Sequence, residues 1–373
     1  MSRQRFLWLA AAAALIIAGA LFVSARRSAP EESVSRLLLP SLATDLNVVT
    51  EVQVRKGSPK PTVTLHKTAD HWTVAERADY PADVPKLRKL LVALRDARIV
   101  EDKTADPARF AAIGVQDPAD PSAPGAEVTL VTPAGKQSVI IGKPVGEGSF
   151  ARLGGANQSY AVEPAIAAES EPRQWIDARL FDVTTAQIQG IEVTPVAPAT
   201  PYSLHRLKPA GPAKTDAQSG GPAGAGGPIG AGGEPGFELT GVPPGRRALD
   251  AHALVPPSSM LSNLEALDVA PADGIDFSKP STVTVTLTDG GVITLTGSVI
   301  ADKHWIEIKS TKDAALTAKA QGRAFEIASY RYDGIFRPVD QLLEPAAPKP
   351  APAGKPAAVG KPAATGKPAH PTP

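Results

Sequence analysis

Residues 48–74, which read VVTEVQVRKGSPKPTVTLHKTADHWTV, decide the fold class of this chain. Apolar and polar residues alternate in three short runs: 52–54, 63–65 and 72–74. Alternation of this kind is typical of strands that bury one face. The runs are separated by Gly57-Ser58-Pro59 and Thr68-Ala69-Asp70, which favour turns. The stretch therefore predicts antiparallel strands joined by turns.

The segment that follows predicts an amphipathic helix packed on this sheet. Asp83 is suited to the N-cap position, and Pro85 falls in the first turn. Four leucines continue at helical spacing: Leu87, Leu90, Leu91 and Leu94. Further strands are expected at 128–131, 139–141, 150–153 and 160–162, and a second helix at 173–180 closes this first unit.

The same order of elements then recurs, which predicts a duplicated domain. Strands are expected at 188–193, 202–207, 237–239, 283–287, 292–295, 305–308 and 325–327. The counterpart of the leucine-rich helix is predicted around Met260, Leu261, Leu264 and Leu267. Self-similarity over such a length indicates two domains and not a solenoid of short repeats. The predicted fold class is α+β: two duplicated domains, 48–183 and 184–344, of mainly antiparallel sheet with packed amphipathic helices, after an N-terminal transmembrane helix.

Two segments rich in Gly, Pro and Ala are predicted to be disordered. Residues 209–236 form an insertion at the tip of the second hairpin, where added chain costs little free energy. Residues 345–373 repeat Gly-Lys-Pro-Ala, a composition that favours extended polyproline II. This C-terminal tail is interpreted either as a cationic spacer that reaches anionic envelope polymers or as a solubilising tail without a ligand.

The N-terminal residues 1–27 predict a membrane anchor, followed by a linker at 28–47. Residues 7–23 are uncharged and almost wholly apolar, close to the length that crosses a bilayer. Cleavage near Val23-Ser24-Ala25 would make the segment a signal peptide, and a buried core helix is the third alternative. The favoured prediction is a single-pass protein of the inner (cytoplasmic) membrane with the bulk of the chain in the periplasm or outside.

Charge and composition exclude several classes of protein. The chain has a net charge of +1, but residues 1–27 and 345–373 carry four cations each and no acid. The part between them is therefore net acidic, which argues against a nucleic-acid partner. The chain has no cysteine, so disulfides, thiolate metal sites and a lipoprotein anchor are excluded.

No residue pattern in the chain predicts catalysis, a cofactor or a metal, and no site residue is assigned. His66, Asp70 and His71 lie close in sequence, but surface hairpin positions explain them better than a metal site. The acidic pairs Glu31-Glu32 and Glu101-Asp102 lack the facing geometry that a glycosidase needs.

Two further features admit alternative interpretations. Trp72, Trp175 and Trp305 are expected to anchor the core, although a ligand groove lined by them is the alternative. The glycines of the insertion lack the flanking strand and helix of a phosphate-binding loop.

Several motifs of this chain resemble the family called domain of unknown function 4340. The motifs are His71-Trp72-Thr73-Val74, residues 110–115 before Pro118, Ile140-Ile141-Gly142-Lys143, a helix at 264–269, residues 304–308, and the stretch from Tyr332-Asp333 to Leu342-Leu343. The resemblance covers most of residues 48–344. The long Gly/Pro insertion and the Lys-Pro-Ala tail depart from the family pattern.

Members of that family are commonly single-pass membrane proteins whose genes lie beside those of a gliding-motility-type ABC transporter. The resemblance thus implies a non-enzymatic, membrane-tethered envelope protein, an accessory or scaffold subunit whose partner is an ABC permease or another inner-membrane protein. The alternatives are a periplasmic module that binds cell-wall glycan or lipid, and a hydrolase with dispersed carboxylates. The resemblance transfers no catalytic residue.

Overall fold

The computed structural model of the protein describes residues 36–42, 46–69, 71–207, 236–251, 253–254 and 256–345. The predicted anchor at 7–23, most of the linker, the segment 208–235 and the tail beyond Pro345 lie outside these ranges. Among the helices of the described ranges, none combines the length and hydropathy that a membrane span requires.

The first half of the chain forms a ten-stranded sheet in which every pair of neighbours is antiparallel. Its strands are β1 Arg36–Leu37, β2 Glu51–Arg55, β3 Val63–Thr68, β4 His71–Val74, β5 Tyr80–Pro81, β6 Arg98–Asp102, β7 Ala126–Thr132, β8 Gly135–Val145, β9 Gly148–Leu153 and β10 Ser159–Glu163. Their order across the sheet is β1-β6-β10-β9-β8-β7-β2-β3-β4-β5. This first sheet includes the three strands predicted from residues 48–74.

The second half forms an eight-stranded sheet that is also antiparallel throughout, and a two-stranded sheet pairs the end of the first half with a segment of the second. The remaining strands are β11 Arg179–Phe181, β12 Ile188–Thr194, β13 Tyr202–Arg206, β14 Phe237–Thr240, β15 Leu264–Glu265, β16 Asp268–Pro271, β17 Ser281–Leu287, β18 Val292–Ile300, β19 Lys303–Ser310 and β20 Arg323–Ile327. The second sheet has the order β14-β13-β12-β17-β18-β19-β20-β16, and β11 pairs with β15.

The helices of the described residues are few and mostly short. The α-helices are α1 Val84–Asp96, α2 Phe110–Ile113, α3 Pro256–Ser259, α4 Ala314–Ala320 and α5 Ser329–Ile335. Short 3-10 helices occupy Pro40–Leu42, Ala75–Arg77, Pro107–Arg109, Pro172–Trp175, Thr185–Gln187, Ala272–Gly274 and Val339–Leu342. The described part of the protein is therefore largely β, with mainly antiparallel sheet as predicted but with less helix than an α+β fold implies.

Eight strands have the same order in the two large sheets. In the first sheet the order is β6-β10-β9-β8-β7-β2-β3-β4, and in the second it is β16-β20-β19-β18-β17-β12-β13-β14. Each strand of the first order therefore matches the strand numbered ten higher in the second. Because all neighbours are antiparallel, strand directions agree as well. This correspondence supports the predicted duplication, while the domain bounds 48–183 and 184–344 stay predictions.

Two predicted helices are wrong. The segment 173–180 is a 3-10 helix that ends at Trp175, followed by β11, because residues 179–181 pair with Leu264 and Glu265. The segment from Met260 to Leu267 contains a turn and then β15, with Asn263 in the left-handed backbone region. Its apolar spacing is helical, but its backbone hydrogen-bonds to neighbouring segments, so tertiary pairing overrides the local pattern.

One hydrophobic core extends through both sheets. Buried residues from each half belong to the same contiguous cluster, including Leu65, Leu94, Trp175, Leu204 and Phe325. A smaller cluster of Phe110, Val115 and Ile140 is separate from it. The shared core means that the two sheets pack as one body in the described structure.

Polar contacts join the two halves beside this core. The Arg77 guanidinium donates two hydrogen bonds to the Asp268 carboxylate, and one of them, from Nη2, is 3.1 Å long. Arg323 Nη2 donates to the Ala78 carbonyl at 2.9 Å. The Tyr80 and Phe325 rings meet edge to face with centroids 5.6 Å apart. We call this set of contacts the joint.

Candidate functional site

A groove with a volume of about 470 Å³ lies beside helix α1. One wall is a side of the helix formed by Val84, Leu87, Arg88, Leu91, Val92 and Arg95, of which Leu87 and Leu91 are buried. The other wall comes from the chain before β2 and from the β3–β4 hairpin, through Leu46, Asn47, Val49, Lys67 and Trp72. We call this cavity the α1 groove. Its volume falls in the range of small-molecule sites.

The local sequence explains where α1 begins and which side of the helix is buried. The Asp83 side chain caps the helix by accepting a hydrogen bond from the Lys86 backbone N–H at 3.0 Å, and Pro85 follows in the first turn. Leu87 and Leu94 are buried in the core. Val84 is 38% exposed and stands beside them on the groove side. The helix thus buries one stripe and presents a mixed apolar and basic stripe to the groove.

The opposite wall depends on the hairpin register. Lys67 in β3 pairs with Trp72 in β4, and both residues line the groove. Trp72 is half-buried and packs against the main core, while Lys67 is exposed. Val49 is fully buried and closes the base of this wall. The wall therefore provides an aromatic face and a cation next to each other.

Electrostatics at the α1 groove favour an anion. Lys67, Arg88 and Arg95 line it, and none of the lining residues that the structure describes is acidic. Arg95 Nε donates to Asp96 Oδ1 at 2.7 Å, which raises the pKa of Arg95 and lowers the pKa of Asp96. Within the described ranges, Lys67 and Arg88 form no ion pair. Two cations are thus available to a bound group.

His66 and His71, the two described members of the His66, Asp70 and His71 set, have separate surroundings in the structure. His66 Nε2 lies 3.0 Å from Thr73 Oγ1 and 3.3 Å from Asp79 Oδ1, and His71 is exposed. Asp70 lies outside the described residues. No group of three His, Asp or Glu side chains with metal-binding geometry occurs among the residues that the structure describes.

The acidic pair on β6 is split between two partners. Glu101 Oε2 contacts Lys103 Nζ at 2.5 Å, and Asp102 Oδ1 lies 3.6 Å from Arg36 Nη2. Neighbouring strand residues point to opposite faces of a sheet, so these carboxylates do not face one another. The pair Glu31-Glu32 lies outside the described residues.

The three tryptophans have different environments. Trp175 is fully buried in the main core, and its indole Nε1 donates to the Glu169 carbonyl at 2.9 Å. Trp305 is buried outside that core cluster, with Lys303 Nζ 5.7 Å from its ring centroid. Trp72 packs against the core and also lines the α1 groove. The prediction of a core anchor therefore describes Trp175 best, while the groove alternative applies to Trp72.

The α1 groove was missed in the sequence, although half of it was visible there. Val84, Arg88, Val92 and Arg95 recur at helical spacing beside the leucine stripe, which marks a second, partly apolar side of the helix. The facing wall comes from a separate hairpin and from residues 46–49. Its approach to the helix depends on tertiary packing, which no local pattern records.

The Phe110–Val115 motif has a structural role in this protein. Phe110 and Val115 pack on Ile140 in the small cluster, and the Arg152 guanidinium lies 4.6 Å from the centre of the Phe110 ring. A Cβ at Gly142 would lie 2.4 Å from the Ile113 carbonyl oxygen, so only glycine allows this close approach of the two backbones. The motif thus packs α2 against strand β8 of the first sheet.

Fold and groove together define the class of protein. It is a largely antiparallel β protein whose two large sheets share one core, and it has a basic groove of the size that small ligands occupy. The chain belongs to the family described as Domain of unknown function (DUF4340), whose model matches residues 72–286. The matched part begins at Trp72 and ends within β17, so it includes α1 and reaches into the second sheet. No curated protein and no solved structure matches the chain.

Proposed function

We propose that this protein is a non-enzymatic, membrane-tethered protein of the bacterial envelope. In this proposal it serves as an accessory or scaffold subunit of an ABC-type, gliding-motility-like transport system. We also propose that its two sheets descend from one duplicated unit of mainly antiparallel strands. Family membership supports the class, and the apolar run at 7–23 supports the tether.

The observation that carries the scaffold role is the joint between the sheets. A scaffold holds its binding surfaces at fixed positions, which requires that its parts do not move independently. Arg77, Asp268 and Arg323 link the halves through hydrogen bonds at the edge of a shared core. The Lys319 ammonium adds a contact to Asp177 Oδ2 at 2.8 Å. Partners bound to either sheet would therefore keep a constant separation.

The predicted tether would keep this body close to the membrane. Between the end of the apolar run at Val23 and the first described residue, Arg36, the chain can span at most about 45 Å. A partner permease in the same bilayer would lie within that reach. The proposed placement is the inner membrane, with the sheets on the periplasmic or outer side.

Co-purification of the full chain tests the accessory role. Membranes are extracted in a mild detergent, the tagged protein is captured, and associated proteins are identified by mass spectrometry. We expect an ABC permease and its ATPase to co-purify. Recovery of neither under several extraction conditions, or a full-length protein found free in the cytosol, contradicts the proposal.

A ligand-binding envelope module is the second candidate, and the α1 groove favours it. The ligand would be cell-wall glycan or lipid, and the C-terminal tail at 345–373 would add cationic contacts to anionic polymers. Pull-down on purified cell wall with the full chain and with a chain that ends at Glu344 separates the contributions. Binding that depends on the tail supports polymer contact, and equal binding by both chains places it in the sheets.

A further inference from the structure

The α1 groove combines an apolar floor with a basic rim, and this pairing restricts the chemistry of its ligand. Val84 and Val92 supply accessible aliphatic surface from the helix, with the buried Leu87 and Leu91 beneath them, and Trp72 supplies an aromatic face opposite. Groove residues from Val84 to Arg95 extend about 16 Å along the helix axis. An elongated apolar group fits that length better than a compact sugar does.

The rim selects for negative charge. Its three cations are Lys67, Arg88 and Arg95, and the described part of the groove lining contains no acidic residue. A neutral apolar ligand would leave Lys67 and Arg88 without a counter-ion among the described residues, whereas a phosphate or carboxylate would supply one. The matching ligand is therefore an anionic amphiphile with one apolar arm.

The position of the groove along the chain adds a reason to choose a membrane lipid. Leu46, Asn47 and Val49 form part of its wall, and they follow β1 and the 3-10 helix Pro40–Leu42 on the stretch of chain that leads from the predicted anchor into the first sheet. The proposed tether would therefore hold the groove within reach of the bilayer. An acidic amphipathic peptide would satisfy the same charges but has no such connection to the anchor.

We propose that the α1 groove binds one anionic phospholipid molecule, with an acyl chain against the apolar stripe of α1 and the phosphate beside Lys67, Arg88 and Arg95. This inference rests on the membrane tether of the proposed function and names the ligand of its binding alternative. It assigns a lipid-binding role to a surface that includes the Trp72 of the His71-Trp72-Thr73-Val74 motif.

Native mass spectrometry of the full chain tests the proposal. The protein is held in a neutral detergent, and dioleoyl phosphatidylglycerol or dioleoyl phosphatidylcholine is added at matched concentrations. We expect a saturable one-to-one adduct with phosphatidylglycerol that forms at about tenfold lower lipid concentration than the phosphatidylcholine adduct. Equal adducts with the two lipids, or adducts of many lipids without saturation, overturn the proposal.

Two neighbouring cations of the same helix give a matched pair of variants. Arg88→Gln removes a rim cation, and Lys89→Gln removes an exposed cation that does not line the groove. We expect Arg88→Gln to weaken the phosphatidylglycerol adduct about fivefold and Lys89→Gln to leave it unchanged. The same loss in both variants would mean that net charge, and not the groove, attracts the lipid.

A third variant and a second ligand complete the test. Val84→Asp places a negative charge in the apolar wall at an exposed position, where the fold tolerates it, and is expected to abolish the adduct. A synthetic acidic amphipathic helical peptide, built from Leu and Glu, serves as the competing occupant. The lipid proposal is overturned if the protein shows no preference for phosphatidylglycerol and binds that peptide in a way that Arg88→Gln weakens. Such a result assigns the groove to a protein partner.

The outcomes separate this inference from the accessory role. If Arg88→Gln loses the lipid but still co-purifies with the permease, both proposals hold independently. If wild-type protein captures the permease and shows no lipid preference, only the lipid inference fails. If it binds the lipid and captures no permease, only the accessory role fails.

Discussion

The two large sheets share an order of eight strands, but different elements cover them. The first sheet carries α1, a thirteen-residue helix inserted between β5 and β6. The second sheet is covered by its C-terminal segment, in which the Tyr332 and Phe336 rings stack with centroids 4.4 Å apart. Close packing of Phe336 there requires Gly297, where a Cβ would lie 2.5 Å from the ring. The ligand-sized groove lies between α1 and the β3–β4 hairpin of the first sheet, so the covering helix, and not the shared strand order, distinguishes this half.

Removing an aromatic contact at the joint is expected to have the largest effect. Phe325 is fully buried and meets Tyr80 across the halves, so Phe325→Ala should lower the free energy of unfolding by about 4 kcal/mol. Urea unfolding in mild detergent, followed by circular dichroism and tryptophan fluorescence, measures the loss. Phe237→Ala, a similar truncation on the edge strand β14, is the control. We expect separate transitions for the two sheets in Phe325→Ala alone, and coincident transitions there would mean that other contacts fuse the sheets.

Breaking the ion pair of the joint is expected to have the next largest effect. Arg77→Ala leaves the Asp268 carboxylate, whose side chain is only 14% exposed, without its guanidinium partner. The expected loss is about 2 kcal/mol, because an uncompensated charge stays partly buried. A double-mutant cycle with Asp268→Asn measures the coupling. Additive losses in the cycle would show that the pair contributes nothing to joining the sheets.

The cover of the second sheet is expected to weaken at alkaline pH. Burial, with a smaller contribution from Asp333, raises the pKa of Tyr332 to about 12 from its ordinary value near 10. The folded state therefore keeps this proton after the unfolded state loses it. The contribution of Tyr332 to the free energy of unfolding is fully present below pH 10 and is lost between pH 10 and 12. Burial also raises the pKa of Tyr80 and Tyr202, which adds to the fall.

Tyr332→Phe isolates the contribution of that one hydroxyl. Between pH 10 and 12, the free energy of unfolding of the variant should fall by roughly 1 to 2 kcal/mol less than that of the wild type. Urea unfolding at each pH measures the difference. Tyr330→Phe, at a residue that is 63% exposed, serves as the control and should follow the wild type. Identical pH profiles for wild type and Tyr332→Phe would contradict the burial of this phenol.

The cover of the first sheet is expected to show the smallest effect. Asp83→Ala removes the side-chain cap of α1, which accepts from the Lys86 N–H, and should cost about 1 kcal/mol. Asp83→Ser keeps a capping oxygen and should restore most of that loss. Thermal unfolding followed by circular dichroism compares the three proteins. A cost above 3 kcal/mol would mean that Asp83 also supports the sheet beneath the helix.

Local patterns predicted those parts of the fold whose burial is decided by nearby residues. The strands at 52–54, 63–65 and 72–74 lie within β2, β3 and β4, and the Asp83 cap and the leucine stripe lie where α1 begins and runs. The predicted recurrence of elements along the chain is consistent with the shared strand order, and the duplication stays a prediction. In each case one face is apolar at the period of the element that forms.

Patterns failed where the partner of a segment is distant in sequence. Leu261 and Leu264 are buried at a helical spacing, yet Leu264 pairs with Phe181 in a strand and Leu267 is 50% exposed. The same limit applies to the α1 groove. Its helix wall can be predicted from the local sequence, whereas its hairpin wall cannot. The joint is the clearest case, because Arg77 and Asp268 are 191 positions apart in the sequence and no local pattern around either residue predicts their contact.

The second hairpin has a consequence for how this chain can vary. The Leu207 backbone N–H donates to the Gly236 carbonyl at 3.0 Å, directly beyond the paired strands β13 and β14. The polypeptide therefore leaves and re-enters the sheet at a single closed point, and the sheet sets no requirement on the length of what lies between. We therefore expect that a change in the number of residues between Leu207 and Gly236, or a reporter domain grafted there, leaves both sheets intact.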